Sequence, residues 1–246
     1  MFTALFRIEL LIWFRTKENV FWAIVWPVAW LLMVWGLFPT LPGRSRLDTL
    51  EYYYPSGIAL ALLSACLTSL AIRLGLAKEK NELKRLMLAP LPTRTFFLSE
   101  LAASSVFSAA AILTITIVCY ALGLRIHGNI AASLLVILLG AVIFSAIAFF
   151  IAGISSNMTR TSLLSMIAMF AIMLLSKVIF DFSQAPGPLA TLSQILPATA
   201  LCEALRGLMF DGDRVGDHAL HFVNLAAWAA GASFLSLSTF KMNQGA

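Results

Sequence analysis

The sequence predicts an all-α integral membrane protein built as one domain over residues 1–246. It has an N-terminal interfacial helix, six transmembrane helices and re-entrant helices before the sixth. Three observations predict it. The chain is 60% hydrophobic with only 12% charged residues, and its mean hydropathy is +0.90; a soluble domain is about 45–50% apolar and has no core large enough to hide the excess. Apolar runs long enough to cross about 30 Å of hydrocarbon recur along the chain. The charges collect between these runs, six of the seventeen basic residues falling between Arg73 and Arg94.

Residues 1–18 read as an amphipathic helix lying in the headgroup plane. At about 100° per residue, Arg7, Arg15 and Glu18 share one side and Phe2, Leu5, Phe6, Ile12 and Trp13 the other. Glu9 falls within the apolar face, so its carboxylate needs a partner, expected to be a basic residue of the same cytosolic layer. The first span is 20–38, with Pro27 as a tolerated kink. Trp22, Trp26 and Trp30 recur every fourth residue there, a candidate lining for a translocated sugar or planar drug, against the plainer reading of interfacial anchoring and helix packing. The second span is 52–72, the third 101–124, the fourth 131–155, the fifth 161–176 and the sixth 219–240. Only Ser156 to Arg160 separate the fourth and fifth, which makes them a tight antiparallel pair. Lys177 to Asp217 is too polar and too broken by Pro186, Pro188 and Pro197 to cross. Its apolar part, within 189–210, reads as one or two short helices that re-enter the outer leaflet under cover of protein.

The net charge of +5 is positional, so nucleic acid is not an expected partner, whereas membrane lipids are. With the N-terminus inside, eleven Lys and Arg lie on cytosolic segments (Arg7, Arg15, Lys17, the six from Arg73 to Arg94, Arg160, Lys241) and six outside (Arg44, Arg46, Arg125, Lys177, Arg206, Arg214). The excess places both termini in the cytoplasm. No cleavable signal peptide is expected. Cys66, Cys119 and Cys202 have no metal or redox spacing and read as small apolar residues. Ala148 and Ala152, and Ala226, Ala227, Ala230 and Gly231, mark candidate helix-packing faces.

No span carries an ionisable residue near its centre, whereas ion-coupled carriers need one there or need unwound ion-binding helices. Zinc-protease, serine-hydrolase and phosphate-loop signatures are missing too, so no catalytic residue and no nucleotide site is expected in this chain. His218 and His221, beside Asp217, read as polar interfacial residues rather than a metal centre, since a third ligand is not evident. Lys177 with Asp181, and Glu203 with Arg206, have the spacing of helix-end ion pairs. The energy source is expected to lie outside the chain.

The pattern resembles the type-2 permease subunits of ATP-binding-cassette exporters, and of their drug-exporter-like branch, over essentially the whole chain. The most specific likeness is to the family motif E-x-G-T-L-x-x-L-x-x-x-P-L, matched by Glu79, Leu83, Leu86, Pro90 and Leu91. Asn81 and Glu82 replace its Gly and Thr, and Glu100 stands where a Lys is common. A second piece, LPATALCEALRGLMFDG, is similar to the family's Pro-Thr followed by E-A-L-R-x-L, matched by Pro197, Thr199, Glu203, Ala204, Leu205 and Arg206. Lys177 stands where many drug-type members carry Gly.

The resemblance implies that residues 78–91 form a cytosolic coupling helix between spans two and three. Leu83, Leu86 and Met87 would enter a groove of an ATPase, with Lys80, Lys84 and Arg85 on its rim and Glu79, Pro90 and Leu91 completing the contact. It implies two such ATPases, which carry ATP and Mg, and a second permease copy in a homodimer of a bacterial-type inner membrane. This chain would bind no cofactor itself. Lys177, Asp181, Pro197, Glu203 and Arg206 become a candidate outer gate. The expected cargo is an amphipathic drug-like or lipid-like molecule. A polysaccharide or glycolipid exporter is the near alternative, for which the Trp stripe would be the stacking surface. An ATP-independent secondary carrier and a membrane scaffold without transport are the alternatives from other classes.

Overall fold

The structure is a computed structural model that describes residues 2–37, 45–80, 93–179 and 187–242. Every regular element among the described residues is helical. Five helices are long and apolar enough to cross a membrane, Arg46–Glu79, Leu98–Ala121, Ile130–Ile154, Met158–Leu175 and Val215–Thr239, and a shorter apolar helix runs over Phe21–Gly36.

The chain is organised around Arg46–Glu79. Helix α4 (Arg46–Leu62) passes through a π-helical stretch, Leu63–Ser69, into α5 (Leu70–Glu79). Its start is set by a capping box in which the Asp48 amide donates to Ser45 Oγ (3.1 Å) and the Ser45 amide to Asp48 Oδ2 (2.9 Å), which satisfies two donors the first turn would leave open. Of its most apolar stretch 94% is buried, against 17% for the last span, so it is the axis on which the others pack. At 34 residues it is about 51 Å long, well beyond a bilayer core. The helix therefore extends past the hydrocarbon at one end or both.

Before it come α1 (Phe2–Arg15), a short α2 (Lys17–Val20), a π turn over Phe21–Val25 and α3 (Trp26–Leu37). The Trp26 amide bonds to the Phe21 carbonyl, five residues back. Pro27 follows at once and has no N–H to give, so the helix absorbs the proline with a wider turn. The two π stretches, Phe21–Val25 and Leu63–Ser69, lie in contact.

After it come α6 (Thr93–Ala121), α7 (Ile130–Ile154) and α8 (Met158–Leu175). Asn129 and Asn157 cap α7 and α8 by accepting from the amides of Ala132 (3.1 Å) and Arg160 (2.9 Å), in line with the preference for Asn at this position. Two short helices then follow, α9 (Gly187–Ile195) and α10 (Pro197–Arg206), and a π turn over Gly207–Asp211 ends at Gly212 with φ of 71°. A single 3-10 turn, Val215–His218, leads into α11 (Ala219–Met242).

Short helices packed in an apolar bundle need their end carbonyls satisfied by protein. The Asn224 side-chain amide donates to the carbonyls of Gln194 and Ile195 (both 3.2 Å), and Trp228 Nε1 to that of Ile195 (2.8 Å), so α11 closes the end of α9. The His127, Gly128 and Asn129 amides donate to Met209 O (3.2 and 3.1 Å) and Leu208 O (2.8 Å), closing the segment after α10. A Cβ on Gly128 would sit 1.8 Å from the Leu208 carbonyl oxygen, and the backbone there cannot yield without losing these bonds. Gly128→Ala is expected to cost about 1–3 kcal/mol, read as a lower melting temperature in detergent. Gly36→Ala, which meets open space, serves as the control.

Of the two small-residue faces, Ala148 and Ala152 are buried within the chain. Ala226, Ala227, Ala230 and Gly231 are exposed, and Ala227 and Gly231 line an apolar cleft of about 490 Å³ with Ile147, Phe150, Ile172 and Leu235.

Candidate functional site

Polar side chains gather at the two ends of the bundle. At the end where Arg46–Glu79 finishes, the partner that Glu9 requires is Arg73. Its Nε and Nη2 donate to Glu9 Oε2 and Oε1 at 3.2 and 3.1 Å. The same Nε lies 3.5 Å from Glu100 Oε1, an ion-pair distance, and Trp13 Nε1 donates to Glu100 Oε2 at 3.4 Å. Glu9, Arg73 and Glu100 are 3%, 9% and 0% exposed. Charges this deep persist only when paired, and the forked guanidinium serves two carboxylates at once.

The amphipathic reading of α1 locates its buried face on this cluster. Glu9 and Trp13, one turn apart, are buried with Leu5, Phe6 and Leu10 packed behind them. Ile12, placed with that face by sequence, is 37% exposed, and Ile8, Leu11 and Phe14 are more exposed still. The helix buries its acidic and aromatic edge because Arg73 and Phe107, 5.3 Å from the Trp13 ring, lie beneath it.

Five residues beyond Arg73, Lys78 Nζ donates to the carbonyls of Ala152, Gly153 (3.3 Å) and Ser155 (3.4 Å), and Glu79 Oε2 accepts from the Met158 amide at 3.3 Å. A cation at the C-terminus of α7 and an anion at the N-terminus of α8 match both helix dipoles. The Lys78–Glu79 pair thus grips the turn that joins α7 and α8. Lys80 is exposed. Leu83, Lys84, Arg85, Leu86, Met87, Pro90 and Leu91 lie outside the described residues, as does Asp181.

At the opposite end the ion pairs differ from the sequence expectation. Glu203 and Arg206 do not pair with each other. Glu203 Oε1 is 2.5 Å from Lys177 Nζ and its Oε2 is 3.5 Å from His221 Nε2. Arg206 Nη2 donates to the Tyr52 carbonyl at 3.0 Å, with its guanidinium 3.8 Å from the Tyr52 ring centroid. The two side chains leave α10 in different directions, and each meets a better-placed partner on another helix, Arg206 gaining a cation–π contact as well. Pro197 opens α10 at its first turn, where its missing N–H is harmless. Thr199 Oγ1 accepts from the Lys177 amide at 3.1 Å, and His218 Nε2 lies 3.0 Å from Asp213 Oδ2. The segment after α8, the short helix α10 and the start of α11 are therefore laced together by Lys177, Glu203 and His221.

The tryptophans divide. Trp22 and Trp26 are exposed with ring centroids 5.8 Å apart, while Trp30 is buried and packs edge-on against Tyr53 at 5.8 Å. Trp26 and Trp30 lie one turn apart in the same α-helix, and what buries Trp30 alone is its contact with Tyr53 of α4, which a count in steps of four does not anticipate.

Comparison with curated proteins gives no match. The family model for the ABC-2 type transporter matches residues 1–210, which takes in the buried-charge cluster, the Lys78–Glu79 grip and both short helices α9 and α10. A helical membrane bundle with that match over most of its length is a permease component, and the chain belongs to the ABC-2 type transporter family.

Proposed function

We propose that this chain is the permease half of an ATP-driven exporter that moves amphipathic drug-like or lipid-like molecules out of the cell, powered by separate cytosolic ATPases. The observation that carries the reading is the Arg73–Glu100 pair, which holds together the two helices flanking residues 81–92 at the end of the bundle where α1 also lies. A twelve-residue link between two braced helix ends, rich in Lys, Arg and Leu, suits docking into a groove of a soluble partner. On this reading residues 78–91 are the coupling helix, both termini are cytoplasmic in an inner membrane, and the Lys177, Pro197, Glu203 and Arg206 end is the outer gate. A second permease copy completes the complex, and the poorly buried spans α8 and α11 leave surface for it and for lipid. ATP and Mg belong to the ATPase.

Affinity purification in mild detergent tests the reading directly. A separate ATPase should co-purify, and transport into vesicles should stop without ATP. Transport by the isolated chain under a proton gradient would mean a secondary carrier instead.

One observation favours a sugar-containing cargo as a second reading: the exposed, adjacent rings of Trp22 and Trp26 are a ready stacking surface. Trp22→Leu with Trp26→Leu is expected to abolish stimulation of the ATPase by polysaccharide or glycolipid on that reading. A lipid-facing pair leaves it unchanged. Trp30 is unsuitable for this test because its loss would disturb packing against Tyr53.

A further inference from the structure

Buried charges in a membrane protein are retained for a task, and family membership assigns none to Glu9, Arg73 and Glu100. Their positions suggest one. Arg73 lies seven residues before Lys80, and Glu100 seven residues after Thr93, so each is about 10 Å up its helix from residues 81–92. At that level the two helices are tied to each other through Arg73 and Glu100, and each is tied to α1: α5 by Arg73 to Glu9, α6 by Glu100 to Trp13. Stacking of Trp13 and Phe14 on Phe107, at 5.3 and 5.0 Å, adds an apolar seam to the same junction. Only Thr16 separates α1 from α2, so α1 leads directly into span one just below the π turn at Phe21–Val25. That turn touches the π stretch of span two, and such wide turns are the looser points of a helix.

We propose that Glu9, Arg73 and Glu100, with Trp13, are positioning residues forming a transmission node, which makes the interfacial helix move as one body with both flanks of residues 81–92 and so passes their displacement into span one. The node rests on the coupling reading above. Arg73 is the hub, because its fork reaches both acids. Removing either acid alone leaves Arg73 matched by one carboxylate, which cuts one tie without stranding a charge.

The test uses the permease purified with its ATPase in lipid nanodiscs, the labelled chain diluted with unlabelled chain. Cys66, Cys119 and Cys202 are buried, so spin labels can be directed to Leu11→Cys on α1, Leu98→Cys on α6 and Leu220→Cys at the far end, all at exposed positions. Distances are read by pulsed electron resonance with and without ATP and vanadate. In the otherwise unaltered chain the Leu11–Leu98 separation should hold within about 2 Å, the scale of a small helix shift, while Leu11–Leu220 changes by more. With Glu9→Leu, and independently with Glu100→Leu, nucleotide should lengthen or broaden Leu11–Leu98. The node is overturned if Leu11–Leu98 changes as much as Leu11–Leu220 in the unaltered chain, or if both acid variants behave as it does. Should one variant fail to fold, the other and the unaltered chain still decide. Failure of the underlying reading looks different: no ATPase co-purifies, and no label pair responds to nucleotide.

Discussion

Arg73→Met is expected to destabilise the protein more than any other single substitution at the ends of the bundle. The guanidinium is the shared partner of Glu9 and Glu100, both almost fully buried. Its removal leaves two carboxylates facing each other without a counter-charge. Breaking a buried pair in this way costs about 3–5 kcal/mol, enough to lower a melting temperature in detergent by on the order of 10 °C. Met fills much the same volume, so lost packing contributes little and the loss reads the charge. The companion variant, Arg73→Met with Glu9→Gln and Glu100→Gln, removes all three charges and should recover most of the loss, because a neutral replacement of a buried ionic group is often no less stable than the original. A melting temperature for Arg73→Met close to that of the unaltered protein would show the cluster to be wetter than its burial indicates. Failure of the triple variant to recover would assign the cost to shape.

Much of this arrangement is legible in the sequence, for reasons that differ from residue to residue. The helical bundle follows from composition and run length because only helices satisfy their own backbone in lipid without closing a barrel. The need of Glu9 for a basic partner follows from its place on the apolar face of α1, a question of angle alone. Which residue answers it does not follow, since Arg73 is 64 positions away and depends on how α1 lies against α5. Glu100 shows in the sequence only as an unusual residue beside a family motif; its meaning comes from Arg73. At the far end, spacing suggested Glu203 with Arg206, and spacing is a weak guide where helices meet: Lys177, His221 and Tyr52 come from three other segments. The tryptophans divide because Trp30 meets Tyr53 of the next long helix, a tertiary contact that spacing within one helix does not display. By charge Lys78 and Glu79 belong with a basic loop, yet they hold the ends of α7 and α8, a role set by helix dipoles that no single-helix pattern displays.

Leu83→Asp with Leu86→Asp is the substitution expected to have the largest effect on function while leaving the membrane bundle intact. Three positions apart, the two leucines share a face of any helix formed by residues 78–91, and a pair of carboxylates on that face would oppose insertion into an apolar groove. Hot-spot apolar residues of this kind commonly carry 2 kcal/mol or more each, so the double change should weaken ATPase binding by roughly a thousandfold. The readouts are the fraction of ATPase that co-purifies and the rate of ATP-dependent transport; both should fall to background. Insertion and melting temperature should hold, because the buried core described around Arg46–Glu79 keeps all of its side chains. The contrast with Arg73→Met separates two kinds of failure: the leucine pair should yield a stable permease without its ATPase, the arginine change a permease that melts early. Retained co-purification and transport in the Leu83→Asp, Leu86→Asp chain would move the docking contact away from residues 78–91. The exposed turn at Ser156 to Arg160, gripped from within by Lys78 and Glu79, would then be the next surface to substitute.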